Sequence, residues 1–335
     1  MESLQGSSIN SQISQTTMES LTNMDTNSQR VQNSIECLSN TQNFINNGTY
    51  NFAFTVSMTE TNILTNIFIT KNGDLLSGTS NGRVRIWNIL ERSIKLNLTG
   101  HTGGIHSYTS IPNGYIATSS ADYTIMFWNI STGVRVATLI GHAHWVYCIL
   151  TLPNGDLASS SADFTIKIWN TTTFQNKMTL TGHKDRVFAI TVLANGDLVS
   201  GSADLTIKIW DHTNGIVKMN LTHTSFIRAL CVLKTEELVS GDQSGKINIW
   251  NVCNGTSKLS ISAHTNLISS FIVLPNGDLI SSSHDKTIKI WDIKIGLLKL
   301  TLTGHTGTVN SIALFPNGDL ASSSGDYTIR IWQRI

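Results

Sequence analysis

Apolar and polar residues alternate along short segments that return at a fixed interval through most of the chain. In residues 146–182 the segment VYCILTL is followed by an Asn-Gly pair and then by DLASSS, TIKIW and KMTLTG. Alternation with β-branched residues predicts strands, and Asn-Gly predicts a tight type I′ hairpin turn. The unit therefore predicts four short antiparallel strands and no helix. Because one such sheet cannot cover its own faces, we expect each unit to stack on its neighbours.

Tryptophan and histidine mark the same repeat. Seven tryptophans are spaced by 41 residues with one step of 40, and six histidines show the same spacing with the short step in the same unit. The two series are Trp87, Trp128, Trp169, Trp210, Trp250, Trp291 and Trp332, and His101, His142, His183, His223, His264 and His305. Since both series lose one position together, they belong to one unit, and the pattern predicts seven units.

A Gly-His pair that opens the unit and a Trp-Asp or Trp-Asn pair that closes it resemble the repeats of the WD40 family. Gly-His stands at 100–101, 141–142, 182–183 and 304–305, and Trp-Asp at 210–211 and 291–292. Trp-Asn replaces Trp-Asp in four units and Trp-Gln in the last. The resemblance covers about residues 52–335. It implies an all-β, seven-bladed β-propeller in which the N-terminal strand FAFTVSMT pairs with the last blade and closes the ring.

The chain divides into a polar tail, residues 1–50, and the propeller, residues 51–335. The tail is rich in Ser, Asn, Gln and Thr and has few aromatic residues. It buries too little apolar surface to offset its ordering entropy, so we predict that it is disordered. A helix that folds against a partner is the alternative, because apolar residues between positions 21 and 38 resemble an interrupted helical stripe.

The composition of the chain limits the classes of partner that we expect. The formal net charge is +1, from 23 basic and 22 acidic residues, which argues against nucleic acid and anionic membranes as partners. The first residues show no secretory signal and no run approaches 18 apolar residues, so we expect no membrane insertion. The four cysteines have no paired spacing and are expected to be reduced. We expect a cytoplasmic protein, with a nuclear location as the alternative, and a ring that is itself monomeric.

His, Ser or Thr, Asp and Trp recur together in five units, where they look like catalytic triads. The sets are His101, Thr118, Asp122 and Trp128; His142, Ser159, Asp163 and Trp169; His183, Ser200, Asp204 and Trp210; His264, Ser281, Asp285 and Trp291; and His305, Ser322, Asp326 and Trp332. An active site is normally unique, whereas a network that locks a blade must recur. The WD40 resemblance implies such a network, so we predict no catalytic residue, metal site or cofactor.

Two units depart from the network. The first has Asn81 at the Asp position and Thr59-Glu60 in place of Gly-His, and the fifth has Ser244 at the Asp position with Asp242 two residues earlier. We expect these two blades to open more readily than their neighbours, a difference that hydrogen exchange measures.

A binding surface specific for one partner is expected where the repeat varies, which is the segment just after each histidine. The WD40 resemblance places this segment on the narrower top face beside the central channel. In the third to fifth blades the third and fifth residues after the histidine are Trp145, Tyr147, Arg186, Phe188, Phe226 and Arg228. Trp, Tyr and Arg are enriched at binding hot spots, so we predict a partner-binding face. The alternative for Tyr147 and Phe188 is packing between blades.

The leading hypothesis is a non-catalytic interaction scaffold that docks peptide segments or protein partners on the top face. The two arginines in an aromatic setting favour an acidic or phosphorylated peptide. One alternative is a substrate-recognition subunit of a ubiquitin ligase, although the chain has no F-box-like sequence and no Trp-Asp-x-Arg. The other is a signalling partner like the β-subunit of G proteins, which the irregular apolar pattern of residues 1–50 disfavours.

Overall fold

The computed structural model describes residues 52–335, so the predictions made for residues 1–50 lie outside the described residues. The described chain forms 28 strands in seven four-stranded antiparallel sheets, which we number as blades 1 to 7. The first strands of successive blades contact one another around the central axis, and the fourth strands lie outermost. The predicted all-β, seven-bladed propeller is confirmed.

Each of blades 1 to 4 uses four consecutive strands. Blade 1 contains β2 (Leu64–Ile69), β3 (Leu75–Thr79), β4 (Val84–Asn88) and β5 (Ser93–Leu98). Blade 2 contains β6 (Ile105–Ser110), β7 (Ile116–Ser120), β8 (Ile125–Asn129) and β9 (Val134–Leu139). Blade 3 contains β10 (Val146–Thr151), β11 (Leu157–Ser161), β12 (Ile166–Trp169) and β13 (Asn176–Leu180). Blade 4 contains β14 (Val187–Val192), β15 (Leu198–Ser202), β16 (Thr206–Asp211) and β17 (Ile216–Thr222).

Blades 5 and 6 follow the same order, and blade 7 takes its fourth strand from the other end of the chain. Blade 5 contains β18 (Ile227–Val232), β19 (Leu238–Asp242), β20 (Lys246–Asn251) and β21 (Thr256–Ser262). Blade 6 contains β22 (Ile268–Val273), β23 (Leu279–Ser283), β24 (Ile288–Asp292) and β25 (Leu297–Leu302). Blade 7 contains β26 (Val309–Leu314), β27 (Leu320–Ser324), β28 (Thr328–Arg334) and β1 (Phe52–Thr59).

The ring closes by pairing β1 with β28. The strands are antiparallel, with Phe52 opposite Arg334 and Thr59 opposite Thr328, and a bulge interrupts the register between Phe54 and Val56. Closure by the N-terminal strand is therefore confirmed. Since every blade then has neighbours on both sides, no inner sheet face is left uncovered.

The cores lie between blades. Trp169 of blade 3 packs against Ile125 and Phe127 of blade 2, and Trp332 of blade 7 packs against Ile288 of blade 6. Trp87 of blade 1 packs in the same way against residues of blade 7, so the apolar layers continue across the closure. The period of the tryptophans reflects this repeated position, since each large indole fills the space between two sheets.

The prediction of type I′ turns at Asn-Gly is wrong. In blade 3 the Leu152 amide donates to the Asp156 carbonyl at 2.8 Å and the Gly155 amide donates to the Leu152 carbonyl at 2.9 Å. Gly155 has φ 85, whereas Asn154 is not in the left-handed region that a type I′ turn requires. Pro153 favours a type I turn because its ring fixes φ near −65°, and Gly155 then supplies the left-handed residue that completes a three-residue hairpin loop.

Candidate functional site

The recurrent His, Ser or Thr, Asp and Trp side chains lie together in five blades. Trp Nε1–H donates to the hydroxyl at 2.7–2.9 Å. The hydroxyl lies 2.7–2.8 Å from histidine Nε2. Histidine Nδ1 lies 2.7–2.9 Å from the aspartate. Because an indole only donates, the hydroxyl accepts from it, and the histidine joins the hydroxyl to the carboxylate through its two ring nitrogens.

The aspartate of each network is fully engaged. In blade 4, Asp204 Oδ2 accepts from His183 and from the Lys184 amide at 2.9 Å, while Oδ1 accepts from the Thr206 amide at 2.9 Å and its hydroxyl at 2.7 Å. The carboxylate thereby ties the loop after the histidine to the turn that holds the aspartate. We call these two segments the top loop (183–186 in blade 4) and the Asp turn (203–206 in blade 4).

These hydrogen bonds also determine the ionisation of the aspartates. Burial alone raises the pKa of each carboxyl, but hydrogen bonds from the histidine, the threonine and the backbone outweigh it and hold the pKa well below its usual range. The histidines are buried. A group whose donors and acceptors are all used within the blade is suited to holding it together and leaves no free nucleophile or base for chemistry.

Blades 1 and 5 have different arrangements at the network position. In blade 1, Glu60 takes the place of the histidine: it accepts from Ser77 at 3.3 Å and forms a buried ion pair with Arg85. In blade 5, His223 Nε2 lies 3.3 Å from Ser240 and its Nδ1 lies 3.7 Å from Asp242, so the contact with the carboxylate is longer than in the complete networks. The greater opening of these blades stays a prediction.

The top face contains a second repeated feature, a β-bulge in the first strand of every blade. The bulged residue is the second of the strand, and it lies outside the regular pairing with the second strand. We call these seven residues the bulge ring: Thr65, His106, Tyr147, Phe188, Arg228, Ser269 and Asn310. The bulge ring therefore presents seven different side chains at equivalent backbone positions.

Four consecutive members of the bulge ring contact one another in series, and we call them the aromatic half. The rings of His106 and Tyr147 are 5.3 Å apart, those of Tyr147 and Phe188 are 4.9 Å apart, and Arg228 Cζ lies 3.9 Å from the centroid of Phe188. Burial lowers the pKa of His106 to about 4, so this imidazole is neutral at pH 7. Burial also raises the pKa of Tyr147.

The other three members, which we call the polar half, bind the backbone. Ser269 Oγ donates to the Val309 carbonyl at 2.7 Å, and Asn310 Nδ2 donates to the Leu64 carbonyl at 2.6 Å. Thr65 Oγ1 donates to the Gly78 carbonyl of its own blade at 3.1 Å. Two of these bonds join neighbouring blades on either side of the closure. The polar half therefore stabilises the ring where it closes.

The six predicted partner-binding residues are placed together over blades 3 to 5, at three different depths. Trp145 is 41% exposed and Phe226 is 42% exposed, and Arg186 is also exposed. Tyr147 and Arg228 are half-buried. Phe188 needs a correction: it is 9% exposed, because Tyr147 and Arg228 cover its ring, so it supports the surface from below.

Sequence reasoning missed two kinds of residue on this face. His106 and His144 extend the aromatic cluster, since their rings lie 6.1 Å and 5.4 Å from that of Trp145. Tyr123 and Phe164 occupy the Asp turns of blades 2 and 3 in the left-handed region, with φ 73 and φ 70, and are exposed. Their signal in the sequence is a bulky residue directly after the network aspartate, a position where blade 1 has Gly82.

Within residues 52–335 there is no group of three His, Cys, Asp or Glu side chains arranged to hold a metal ion. The same part of the chain contains no helix with the length and apolar character needed to cross a membrane.

A closed ring of seven four-stranded blades with internal His–Asp networks defines the class of β-propeller scaffolds. The family model described as WD domain, G-beta repeat matches residues 92–129, 133–170, 174–211, 255–292 and 296–333. The chain belongs to the WD40 family, whose propellers are generally protein-interaction scaffolds and typically non-catalytic. The two repeats without a match are those that end in Trp87 and Trp250, in the blades with incomplete networks. Among curated proteins, none matches the chain closely enough to suggest a particular partner.

Proposed function

We propose that this protein is a non-catalytic scaffold that docks a protein segment on the top face of blades 3 to 5. The observation that carries the proposal is Trp145, which is 41% exposed at the edge of an aromatic cluster. None of the six other blades has a tryptophan at the equivalent position. Exposed aromatic residues next to arginines, on a supported surface, are the composition of binding hot spots. The networks, the hairpin turns and the cores between blades are repeated around the ring, so they cannot specify one particular partner.

The test is a pair of matched substitutions in the full chain. Trp145→Ala removes a side chain that is 41% exposed beside the aromatic half, and Ile63→Ala removes one that is 42% exposed at the equivalent position of blade 1. We expect Trp145→Ala to weaken partner binding at least about tenfold and Ile63→Ala to leave it unchanged. Affinity capture with quantitative mass spectrometry and thermal unfolding of both variants provide the measurements. Equal capture by wild type and a folded Trp145→Ala variant would overturn the proposal.

A further inference from the structure

The cationic side chains of the propeller fall into two groups that differ in whether a carboxylate neutralises them. Five lysines on fourth strands each bind an acidic side chain at 2.5–2.9 Å: Lys95 with Asp74, Lys177 with Asp156, Lys218 with Asp197, Lys258 with Glu237 and Lys299 with Asp278. On the top face of blades 4 to 6, five cations form no ion pair with any residue in the described range: Lys184, Arg186, Arg228, Lys246 and Lys286. Other unpaired cations lie elsewhere, such as Arg83 of blade 1 and Arg135 of blade 2, but these five lie on three successive blades of one face.

Arg228 lies at the inner edge of this sector and is held in one orientation. Its guanidinium stacks 3.9 Å from the centroid of Phe188, and its Nε donates to Gln243 Oε1 at 2.6 Å. Burial lowers the pKa of Arg228, and the charge of Arg186 lowers it further. The two Nη groups have no acceptor among the described residues. A guanidinium edge fixed in this way matches the two oxygens of a carboxylate.

The acidic groups nearby accept hydrogen bonds within the protein and form no ion pair with Arg186 or Arg228 among the described residues. All acceptor sites of Asp204 are used within its blade, and Asp185 Oδ1 accepts from the Arg186 amide at 2.7 Å. His284 adds no positive charge at pH 7, since burial lowers its pKa and the charge of Arg228 lowers it further. The two guanidinium groups are therefore open to a direct ion pair with a ligand carboxylate.

Five exposed apolar side chains lie on the same face of neighbouring blades, and we call them the apolar arc. Its members lie on blades 2 to 5 and are 38–43% exposed: Tyr123, Trp145, Phe164, Leu205 and Phe226. Tyr123, Phe164 and Leu205 have φ between 68 and 73, a left-handed conformation that costs L-residues about 1–2 kcal/mol relative to glycine. The same conformation recurs at Lys286 of blade 6 and Tyr327 of blade 7, so the strain belongs to the repeat, and what distinguishes blades 2 to 4 is that three successive turns carry exposed apolar side chains.

We propose that the segment docked on blades 3 to 5 is acidic, with an Asp or Glu carboxylate bound by Arg228 and Arg186 and a neighbouring apolar side chain packed on the arc at Trp145. This inference rests on the proposed function and adds the chemical class of the partner. Charge-assisted bonds to arginine supply the polar contacts, and the stacked Phe188 keeps the guanidinium from reorienting. A basic segment is disfavoured by the same charges.

Selection from a library of random peptides displayed on phage tests the inference with the full-length protein. Peptides are selected on wild type and again on Arg228→Ala, with Arg83→Ala as the control, because Arg83 is an exposed, unpaired cation of blade 1 on the other side of the ring. We expect wild-type peptides to be enriched in Asp or Glu next to an aromatic or aliphatic residue. Binding of a selected peptide should fall about tenfold on Arg228→Ala and on Glu→Gln in the peptide, and should not change on Arg83→Ala.

The outcomes separate the inference from the proposed function. Peptides that depend on Trp145 but show no acidic enrichment and tolerate Arg228→Ala overturn the inference and leave the docking surface intact. Selection that yields no peptide dependent on Trp145 overturns the inference, and the capture experiment then decides the proposed function by itself. A synthetic peptide with phosphoserine in place of the selected Glu distinguishes the two anions: binding more than tenfold tighter than the Glu peptide would assign the arginines to phosphate and overturn the carboxylate.

Discussion

The aromatic half and the polar half of the bulge ring occupy the same backbone position in seven blades and differ in what their side chains contact. In the polar half, Asn310 and Ser269 donate to carbonyls of the next blade. In the aromatic half, Tyr147, Phe188 and Arg228 contact one another. The polar half uses its hydrogen bonds within the ring. The aromatic half leaves the guanidinium edge of Arg228 available, with exposed aromatic surface next to it.

The difference shows how a repeated fold separates stability from recognition. A bulge leaves one residue per blade outside the hydrogen-bonded ladder, so its side chain can change without disturbing the sheet. Near the closure, where β1 and β28 come from distant parts of the chain, these residues bind backbone. In the blades away from the closure the bulged residues contact one another instead, and these are the residues of the aromatic half.

The largest expected effect is on the free energy of unfolding and comes from the aspartate networks, which occur in blades of both halves. Because the pKa of Asp204 and of Asp326 lies below the ordinary value of 3.8, ionisation stabilises the fold above about pH 4. As the pH falls below that value the unfolded chain binds protons first, and the unfolding free energy declines. Urea unfolding between pH 7 and pH 2.5 should show this decline, with five carboxyls contributing at most about 1.4 kcal/mol per pH unit each.

Asp204 belongs to a blade of the aromatic half, and Asp326 belongs to a blade of the polar half. Because both aspartates lie in complete networks, Asp204→Asn and Asp326→Asn should each make that decline less steep by a similar amount. A change confined to one of the two variants would show that the networks of the two halves do not contribute equally.

The second-largest effect on unfolding free energy should distinguish the polar half from the aromatic half. Asn310→Ala leaves the Leu64 carbonyl without its donor, and we expect a loss of about 1–3 kcal/mol in unfolding free energy. Arg228→Ala removes a partly solvated side chain and should cost less than about 1 kcal/mol. Urea unfolding at pH 7 compares the two variants. If Arg228→Ala were as destabilising as Asn310→Ala, the aromatic half would have a structural role like that of the polar half.

The smallest effect on stability comes from the strained Asp turns. Phe164→Gly removes a left-handed cost of about 1–2 kcal/mol and adds unfolded-chain entropy worth about 0.4–1 kcal/mol. We expect the unfolding temperature to stay the same or rise slightly while binding of an acidic peptide weakens. Tyr327→Gly, at the same turn of blade 7 with φ 67, is the control and should change stability in the same way with no loss of binding. Equal loss of binding in both variants would place the docking surface elsewhere.

The sequence predicted the architecture because the information is repeated. Seven tryptophans and six histidines at one interval indicate the number of blades, and the apolar strand at 52–59 indicates the closure. The type of hairpin turn was missed because Asn-Gly was taken without its context. The residue before the pair is proline in four of the six such turns, and proline favours a type I turn.

The candidate site was only partly predictable. Strand alternation cannot reveal a bulge, because the register is decided by pairing with the second strand. For that reason the sequence left packing between blades as an alternative for Phe188 and could not decide its burial, although Trp145 stood out as the eighth tryptophan. The division of the bulge ring into an aromatic half and a polar half also depends on hydrogen-bond partners in neighbouring blades. One example is the Leu64 carbonyl, which is 246 positions from Asn310.

Closure by β1 has a consequence for synthesis of the protein on the ribosome. Thr55 of β1 donates to the Ile331 carbonyl of β28, across a separation of 276 residues. At 5–20 residues per second β1 therefore waits roughly 15–55 s before its pairing partner exists. During that time Phe54 and its neighbours form an unpaired strand that other nascent chains can bind. Translation of β28 therefore decides when the ring can stop being an open, aggregation-prone arc.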